Sequence, residues 1–317
     1  MQSLPHYRYI NSIPPVPLIE VQGDDDAVPI WCKLEYLNPS GSTKDRIARH
    51  ILEKAWRRGE VSHGSLIVEA SSGSTSIALA LCCAQMGMKF VAFIPASATS
   101  ERVAMIRAYG GDVRRIEGEM GKVINAARQF AESEDAFLTR QFENPDNAEA
   151  HELLTASEIL NQLDDVAIDA VVSGIGTGGT LVGLHRGFTK AGCDTLPVAA
   201  IPCHTGGGFA TNIECCSLTF SKDVPGVVDG CSRLYSDWKQ TDAAKNLREL
   251  VVDEDECLRC TRELWSLGFP VGPSSGLNLA AARAIGRESS PDATIVTVFP
   301  DRMERYFSHK VFAGIAE

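Results

Sequence analysis

The nine residues Asn38-Pro39-Ser40-Gly41-Ser42-Thr43-Lys44-Asp45-Arg46 stand between an apolar run, residues 30–37, and a segment with helical periodicity. The proline and the glycine favour a turn. The apolar residues that follow recur on one face of a helix, at Ile47, Ile51, Leu52 and Ala55. The pattern therefore predicts a strand, a turn and a helix, with Ser42 or Thr43 as the capping residue and Asp45 in the first turn.

Lys44 is the unusual residue of this segment, because the dipole at a helix N-terminus disfavours a cation and lowers the pKa of an amine. Two interpretations follow from the residues alone. The lysine is a surface side chain whose aliphatic stem lies along apolar neighbours. Alternatively, its amine is kept partly neutral so that it forms a Schiff base with a carbonyl compound.

The composition is that of a globular protein: 44% of the 317 residues are apolar and 22% are charged. The formal net charge is −11 and the isoelectric point is near 5.2. Proteins that bind nucleic acid carry basic patches, and an anionic membrane surface repels an acidic protein. We therefore expect neither nucleic acid nor a membrane among the partners of this chain.

The N-terminal region predicts no secretory signal. Residues 1–20 are interrupted by prolines and lack the apolar core of a leader peptide. No segment approaches the ~20 apolar residues that a membrane-spanning helix needs. The expected location is the cytoplasm.

The ten cysteines are expected to be reduced thiols in such a protein. Cys257-Leu-Arg-Cys260 has CxxC spacing but lies in a predicted helix, and no second pair stands at zinc-ligand spacing. The pairs Cys203-His204 and Cys215-Cys216 do not repeat any regular ligand spacing either. No metal site is predicted.

Short apolar runs alternate with amphipathic segments along most of the chain, which predicts an α/β fold with a mostly parallel sheet. The predicted strands after the Lys44 helix are 66–69, 89–94, 113–116, 136–139, 168–172, 198–201 and 295–299. The predicted helices are 74–86, 100–109, 122–131 and 148–162. Residues 202–240 are predicted to be loops.

The loop Glu69-Ala70-Ser71-Ser72-Gly73-Ser74-Thr75, which we call the serine loop, joins a predicted strand to a helix. Its hydroxyl groups and the N–H groups of the helix N-terminus are suited to binding a carboxylate. Many serine-rich loops of this kind only cap the helix, so this loop alone leaves both interpretations open.

The glycine loop, Gly174-Ile175-Gly176-Thr177-Gly178-Gly179-Thr180, has the same strand-to-helix position. Its glycines let the backbone approach a phosphate, and it formally contains the GxGxxG of dinucleotide-binding proteins. That alternative requires an acidic residue at the end of the next strand. Residues 198–203 contain none, which favours a phosphate site without a nicotinamide dinucleotide.

A third strand-to-helix loop, Gly272-Pro273-Ser274-Ser275-Gly276, would be a simple helix cap in isolation. Its free hydroxyl can face a ring nitrogen. The chain thus offers a Schiff-base lysine, a phosphate site, a carboxylate site and a hydroxyl for a ring nitrogen. The combination suggests pyridoxal 5'-phosphate as the cofactor.

The chain resembles the cysteine synthase and cystathionine β-synthase family of fold-type II pyridoxal-phosphate enzymes. Residues 38–46 resemble the family's Schiff-base motif, and Gly176 to Thr180 resemble its phosphate loop. Gln141-Phe142-Glu143-Asn144-Pro145 resembles its QFxNP segment, and Phe299-Pro300-Asp301 through Glu304-Arg305-Tyr306 resembles its closing motif. The similarity extends from Pro17 to Phe307.

The resemblance implies two three-layer αβα domains with mostly parallel sheets and the cofactor in the cleft between them. The smaller domain would span residues 40–148, and the larger one would combine residues 1–39 with 149–317. The family also implies a homodimer.

The resemblance implies a catalytic role for Lys44, which would carry the cofactor and then act as the base. Cofactor-binding residues would be Lys44, Ser74, Gly176, Thr177, Gly178, Gly179, Thr180 and Ser274. Substrate-binding residues would be Ser71, Ser72, Gly73, Thr75 and Gln141. No metal is implied.

The implied reaction is β-replacement on a serine-type amino acid such as O-acetylserine, through an aminoacrylate, with sulfide or a thiol as the nucleophile and cysteine as a product. The alternative is a cysteine desulfhydrase, a lyase that releases sulfide, pyruvate and ammonia. Two departures from the family bear on this choice: Ser74 replaces an asparagine, and residues 225–233, with Asp229 and Arg233, replace a recognisable substrate lid. A nicotinamide dehydrogenase and a catalytically inactive binding homologue remain as alternatives.

Overall fold

The computed structural model describes residues 14–23, 26–164, 166–203, 209–210, 224–227, 232–313 and 315. Their strands form one sheet of seven and one sheet of four. The seven-stranded sheet has the order β1-β2-β11-β7-β8-β10-β9, and the four-stranded sheet has the order β5-β4-β3-β6.

The larger sheet is parallel from β2 to β10 and has an antiparallel strand at each edge. Its strands are β1 Leu18–Val21, β2 Ile30–Lys33, β7 Ala170–Gly174, β8 Leu196–Cys203, β9 Phe209–Ala210, β10 Arg248–Asp253 and β11 Ile295–Val298.

The smaller sheet is parallel throughout. Its strands are β3 Leu66–Ala70, β4 Lys89–Pro95, β5 Asp112–Ile116 and β6 Phe137–Leu138. It lies within the predicted smaller domain, and the larger sheet lies outside it. The domain boundaries at residues 40 and 148 themselves stay a prediction.

Helices connect the parallel strands, as crossover geometry requires. They are α1 Lys44–Arg58, α2 Ser74–Met86, α3 Ser100–Ala108, α4 Met120–Ser133, α5 Asp146–Ala150, α6 Ala156–Gln162, α7 Gly179–Lys190, α8 Arg233–Lys239, α9 Glu254–Ser266 and α10 Pro273–Glu288. A π-helical turn, His151–Thr155, joins α5 to α6. Short 3-10 turns lie at Glu35–Leu37, Asp242–Ala244, Met303–Tyr306 and Lys310–Phe312.

The predicted α/β class with mostly parallel sheets is confirmed. The prediction of loops over residues 202–240 is wrong at both ends, because β8 continues to Cys203 and α8 occupies Arg233–Lys239. The β1 strand was also missed within a proline-rich lead. It is an edge strand that follows Pro17, and an edge position tolerates a neighbouring proline.

Both faces of each sheet are buried, which explains the continuous apolar runs of the strands. In β7, Ala170 and Val172 pack on one face and Val171 on the other. In β3, Ile67 and Val68 divide in the same way between two apolar clusters. The loops at the carboxyl ends of the strands are thereby held on rigid layers.

The described residues contain no helix long and apolar enough to cross a membrane. Nor do they contain a group of three His, Cys, Asp or Glu side chains that could hold a metal ion. Burial raises the pKa of the Cys260 thiol to about 12, so the thiol stays protonated near neutral pH.

The contact between α9 and α10 predicts the effect of one glycine substitution. A Cβ atom on Gly276 would lie 2.1 Å from the Cys257 carbonyl oxygen, so Gly276→Ala must separate the helices and should lower the free energy of unfolding by roughly 1–3 kcal/mol. The control is Gly121→Ala, where no atom lies within 4 Å of the added Cβ. This substitution should raise the free energy of unfolding by roughly 0.4–1 kcal/mol, because alanine favours the helix more than glycine does. Urea unfolding measures both. Equal effects would contradict the close packing of α9 and α10.

Candidate active site

A cleft of about 790 Å³ opens between the carboxyl ends of the two sheets. In open α/β folds, ligands bind at this edge of the sheet. Most of the residues predicted for cofactor or substrate line it, namely Lys44, Ser72, Ser74, Thr75, Gln141, Gly176, Thr177, Gly178, Thr180 and Ser274. Three predicted residues lie outside its lining: Ser71, Gly73 and Gly179.

Lys44 is the first residue of α1 and reaches the cleft. Burial lowers the pKa of its amine, while the carboxylates of Asp301 and Glu35 oppose this shift. The sequence predicted the direction but attributed it to the helix dipole, whereas desolvation is the main cause. Among the described residues, the Lys44 amine makes no hydrogen bond or ion pair, so it is available to a ligand.

The turn before Lys44 is held by its neighbours rather than by a capping side chain. Thr43 occupies the N-cap position without a side-chain capping bond, and Ser42 Oγ accepts a bond of 3.3 Å from the Lys44 N–H. Asp45 accepts hydrogen bonds from the Ser40 N–H at 2.9 Å and from its hydroxyl at 2.5 Å. These bonds close the turn and fix the direction in which α1 leaves it.

The serine loop is closed from the inside by Ser71. Its hydroxyl lies 2.6 Å from Ser76 Oγ and accepts 3.2 Å bonds from the N–H groups of Gly73 and Ser76. Gly73 has a φ of +140°, and a Cβ there would lie 2.4 Å from the Arg102 side chain. Ser71 and Gly73 therefore shape the loop, and their predicted contact with substrate stays a prediction.

Gln141 crosses from its own segment to the serine loop. Its amide oxygen accepts a 2.6 Å bond from the Thr75 hydroxyl, and its amide nitrogen donates a 2.7 Å bond to the Ala70 carbonyl. The side chain is 2% exposed and lines the cleft. The predicted carboxylate-binding groups Thr75 and Gln141 thus form one hydrogen-bonded unit.

Beneath this unit lies Glu69, a buried carboxyl group that the sequence did not single out. It accepts hydrogen bonds from the Thr139 hydroxyl at 2.5 Å, the Gln141 N–H at 3.1 Å and the Ala70 N–H at 2.7 Å. Burial raises the pKa of Glu69 to about 7 despite these donors. Glu69 positions the backbone on both sides of the carboxylate-binding unit.

The raised pKa of Glu69 predicts a pH dependence of stability. Since the carboxyl is harder to ionise in the folded protein, stability is full below the ordinary pKa of 4.5 and falls as the pH rises through about 7. In Glu69→Gln, which cannot ionise, the loss of unfolding free energy between pH 4 and pH 8 should shrink by roughly 3 kcal/mol.

Urea unfolding over this pH range measures the effect, and the exposed Glu134→Gln variant serves as the control. A variant with the wild-type pH dependence would show that Glu69 ionises normally in the folded protein.

The glycine loop presents unpaired donors to the cleft. Among the described residues, no acceptor pairs with the backbone N–H groups of Gly176, Thr177 and Gly178. Gly178 has a φ of +76°, and a Cβ on Gly176 would lie 2.5 Å from the Gly226 carbonyl oxygen. Glycine is therefore required where the backbone turns and where a second loop approaches.

Two side chains that the sequence analysis missed hold the glycine loop in place. Asn147 donates hydrogen bonds to Thr177 Oγ1 at 2.9 Å and to the Gln141 carbonyl at 2.8 Å, so it joins the two walls of the cleft. His151 Nε2 lies 3.2 Å from the Thr180 hydroxyl, and burial lowers the pKa of this imidazole. His151 is thus a neutral hydrogen-bonding partner.

The third loop places Ser274 in the first turn of α10, at the cleft and 8% exposed. One helical turn further on, Asn278 accepts a 2.7 Å bond from the Gly174 N–H and donates a 2.8 Å bond to the Val298 carbonyl. Asn278, which the sequence analysis also missed, fixes the start of the glycine loop against β11.

Part of the segment that stands in place of the family's substrate lid, including Asp229, lies outside the described residues. The same holds for His204 and for the Cys215-Cys216 pair. Pro225, Gly226 and Val227 line the cleft, whereas the Arg233 side chain is 79% exposed and lies 3.9 Å from Glu143. Arg233 is a surface residue in this structure.

Comparison with known proteins places this geometry in a family. The sequence pattern of the family described as "Pyridoxal-phosphate dependent enzyme" matches residues 10–301. The chain belongs to this family. Its members depend on pyridoxal phosphate, and the predicted cofactor is thereby confirmed.

Individual relatives agree with this assignment. A cysteine synthase of Staphylococcus aureus (strain N315) is 35% identical over 315 residues, which cover 96% of each chain. An O-acetylserine dependent cystathionine beta-synthase from Helicobacter pylori superposes with a TM-score of 0.84 at 26% identity, covering 96% of this chain and 98% of that one. A hydrogen sulfide-producing enzyme from Fusobacterium nucleatum gives 0.80 at 29% identity, covering 96% and 91%.

The residues of the cleft fit pyridoxal phosphate. The three unpaired N–H groups of the glycine loop and the adjoining N-terminus of α7 suit a phosphate group. The amine of Lys44, which has no hydrogen-bond or ion-pair partner among the described residues, suits an aldehyde. The roles of the individual residues stay predictions.

Proposed function

We propose that this enzyme catalyses β-replacement on a serine-type amino acid, with O-acetylserine as the donor, sulfide as the nucleophile and cysteine as the product. One observation carries the proposal. The uncommitted Lys44 amine lies in a cleft with carboxylate-binding hydroxyls on one wall and unpaired N–H donors on the other.

Pyridoxal phosphate supplies an electron sink that makes the Cα proton of a bound amino acid removable. The glycine loop would hold the phosphate through Gly176, Thr177, Gly178 and Thr180. Asn147 and His151 hold the hydroxyls of this loop at 2.9 and 3.2 Å, so little reorganisation is required when the phosphate binds.

The serine loop would bind the carboxylate of the amino acid. Ser72 and Thr75 line the cleft, and the bond between Thr75 and Gln141 fixes both side chains. Binding at a helix N-terminus favours an anion, because the dipole of α2 adds to the hydrogen bonds.

Lys44 would act as the base that takes the Cα proton. Burial lowers the pKa of its amine, which brings the amine closer to the working pH and makes it a better base. Ser274 would face the ring nitrogen. Its uncharged hydroxyl does not hold a proton on that nitrogen as a carboxylate would, which favours loss of the Cβ substituent over transamination.

The relatives support the proposed substrates. The similar proteins include a cysteine synthase and an enzyme described as O-acetylserine dependent. The second candidate is cysteine desulfhydrase activity, favoured by the similarity to a hydrogen sulfide-producing enzyme. On the strength of the family resemblance we further propose a homodimer located in the cytoplasm.

Replacement of the lysine gives the direct test of this function. Lys44→Ala should lose the visible absorbance of the lysine-bound cofactor, and the rate of cysteine formation from O-acetylserine and sulfide should fall by roughly 100-fold to 10,000-fold. Absorbance spectra and an assay of cysteine formation measure the two effects. The control is Lys245→Ala on the exposed surface, which should retain both properties.

The substrates distinguish the two candidate functions. Steady cysteine formation from O-acetylserine and sulfide supports the synthase. Steady release of sulfide and pyruvate from cysteine alone, with no cysteine synthesis, would identify a desulfhydrase instead. A Lys44→Ala variant as active as the wild type would contradict both candidates.

A further inference from the structure

Asp301 is a buried carboxylate that lines the cleft, yet no role for it follows from the function proposed above. Its segment pairs with the turn before Lys44. A β-bridge joins Ser42 to Asp301, and the Thr43 N–H donates a 2.8 Å hydrogen bond to the Pro300 carbonyl. Asp301 is therefore fixed beside the backbone that carries Lys44, whatever the ligand in the cleft.

The Asp301 carboxylate acts on the charge of Lys44 and forms no ion pair with another cation among the described residues. Glu35 also acts on the Lys44 amine, but Glu35 accepts two bonds, of 2.7 and 2.8 Å, from the Arg46 guanidinium. His151, the other titratable group that faces Lys44, is held neutral by burial. Among the described residues, Asp301 is thus the carboxylate that responds when conditions in the cleft change.

Asp301 Oδ2 accepts two hydrogen bonds of unequal length. The Tyr306 hydroxyl donates at 2.6 Å, whereas the Ser74 hydroxyl donates at 3.2 Å, which is long for a bond between two oxygens. Neither nearby arginine bonds to Asp301 among the described residues: Arg102 donates to the Ser72 carbonyl and stacks on Tyr306, and Arg305 donates to the Ser40 carbonyl. The Ser74 bond is the one that a ligand can replace.

We propose that Ser74 and Asp301 form a substrate-linked switch that sets how firmly Lys44 holds its proton. A serine has one hydroxyl proton, so Ser74 donates it either to Asp301 or to the carboxylate of a bound amino acid. Carboxylate binding withdraws the donor from Asp301, whose charge then acts more strongly on the proton of Lys44. Asp301 is a positioning residue in this scheme, and Ser74 gains a substrate contact beside its predicted cofactor contact.

The switch makes the Lys44 nitrogen hold a proton more strongly while a carboxylate occupies the cleft, which favours its uptake of the Cα proton from the bound amino acid. The link to catalysis rests on the proposed function, whereas the switch itself does not. It requires only that a carboxylate enters the cleft and that Lys44 carries the cofactor.

Two substitutions should shift the titration of Lys44 in opposite directions. The midpoint is read from the pH dependence of the visible absorbance of the holoenzyme, which reports the proton on the Lys44 nitrogen without any turnover. Asp301→Asn removes the counter-charge and should lower the midpoint. Ser74→Ala removes the weaker of the two hydrogen bonds to the Asp301 carboxylate, whose negative charge then acts more strongly on Lys44, so the midpoint should rise. The control, Ser62→Ala, is exposed and lies outside the lining of the cleft, so it should leave the midpoint unchanged.

Propionate, a carboxylate without an amino group, tests the link to substrate. It should raise the wild-type midpoint towards that of Ser74→Ala, and the rise should be clearly smaller in Asp301→Asn, where only the charge of the propionate itself acts on Lys44. Ser74→Ala should also raise the KM for O-acetylserine roughly tenfold, because a hydrogen bond to a carboxylate is lost.

The directions of the shifts separate the switch from a structural role. If both variants shift the midpoint the same way, or Ser74→Ala does not shift it, the proposal is overturned. The same conclusion follows if propionate acts equally on the wild type and on Asp301→Asn. These readouts hold even for a holoenzyme that forms no cysteine, in which case only the proposed reaction fails.

Discussion

A buried network of charges beneath the cleft fixes the helix that carries Lys44. Arg46, two residues along α1, bonds to Glu35 and to Glu158 of α6. Lys33, at the end of β2, lies 2.8 Å from Glu158 and donates to Gln162. Removing one partner of such a buried group leaves an uncompensated charge, which costs about 3–5 kcal/mol. The network therefore determines where α1 begins and which way Lys44 points.

The chemistry of Lys44 depends on how completely this network is paired. Glu35 is committed to Arg46, so it affects the lysine only at a distance, and desolvation prevails in lowering the pKa of the amine. A second buried carboxylate without a cation of its own opposes this lowering. Asp301 occupies that position, and its bonds to Tyr306 and Ser74 moderate its effect.

The sequence predicted the parts of the site that depend on local order along the chain. Lys44 and the glycine loop could be placed because each lies between a strand and a helix, and parallel strands bring such loops to one edge. Ser274 does open a helix, but the strand predicted before it is not found in the described residues, where only an isolated β-bridge at Val271 precedes α10. Asn147, His151 and Asn278 were missed because their roles are hydrogen bonds to loop residues 29 to 104 positions away. Nothing in their own segments distinguishes them from ordinary polar helical residues.

The same distinction applies to Ser74. In the sequence it is a shorter side chain where the family has asparagine, a change that by itself only weakens one contact. In the structure its hydroxyl donates to Asp301, which is 227 residues away and follows β11 in the interior of the larger sheet. A serine has a single hydroxyl proton to donate, whereas the amide of an asparagine has two. The contact between Ser74 and Asp301 was beyond sequence reasoning, because it joins two loops that only the packing of the two sheets brings together.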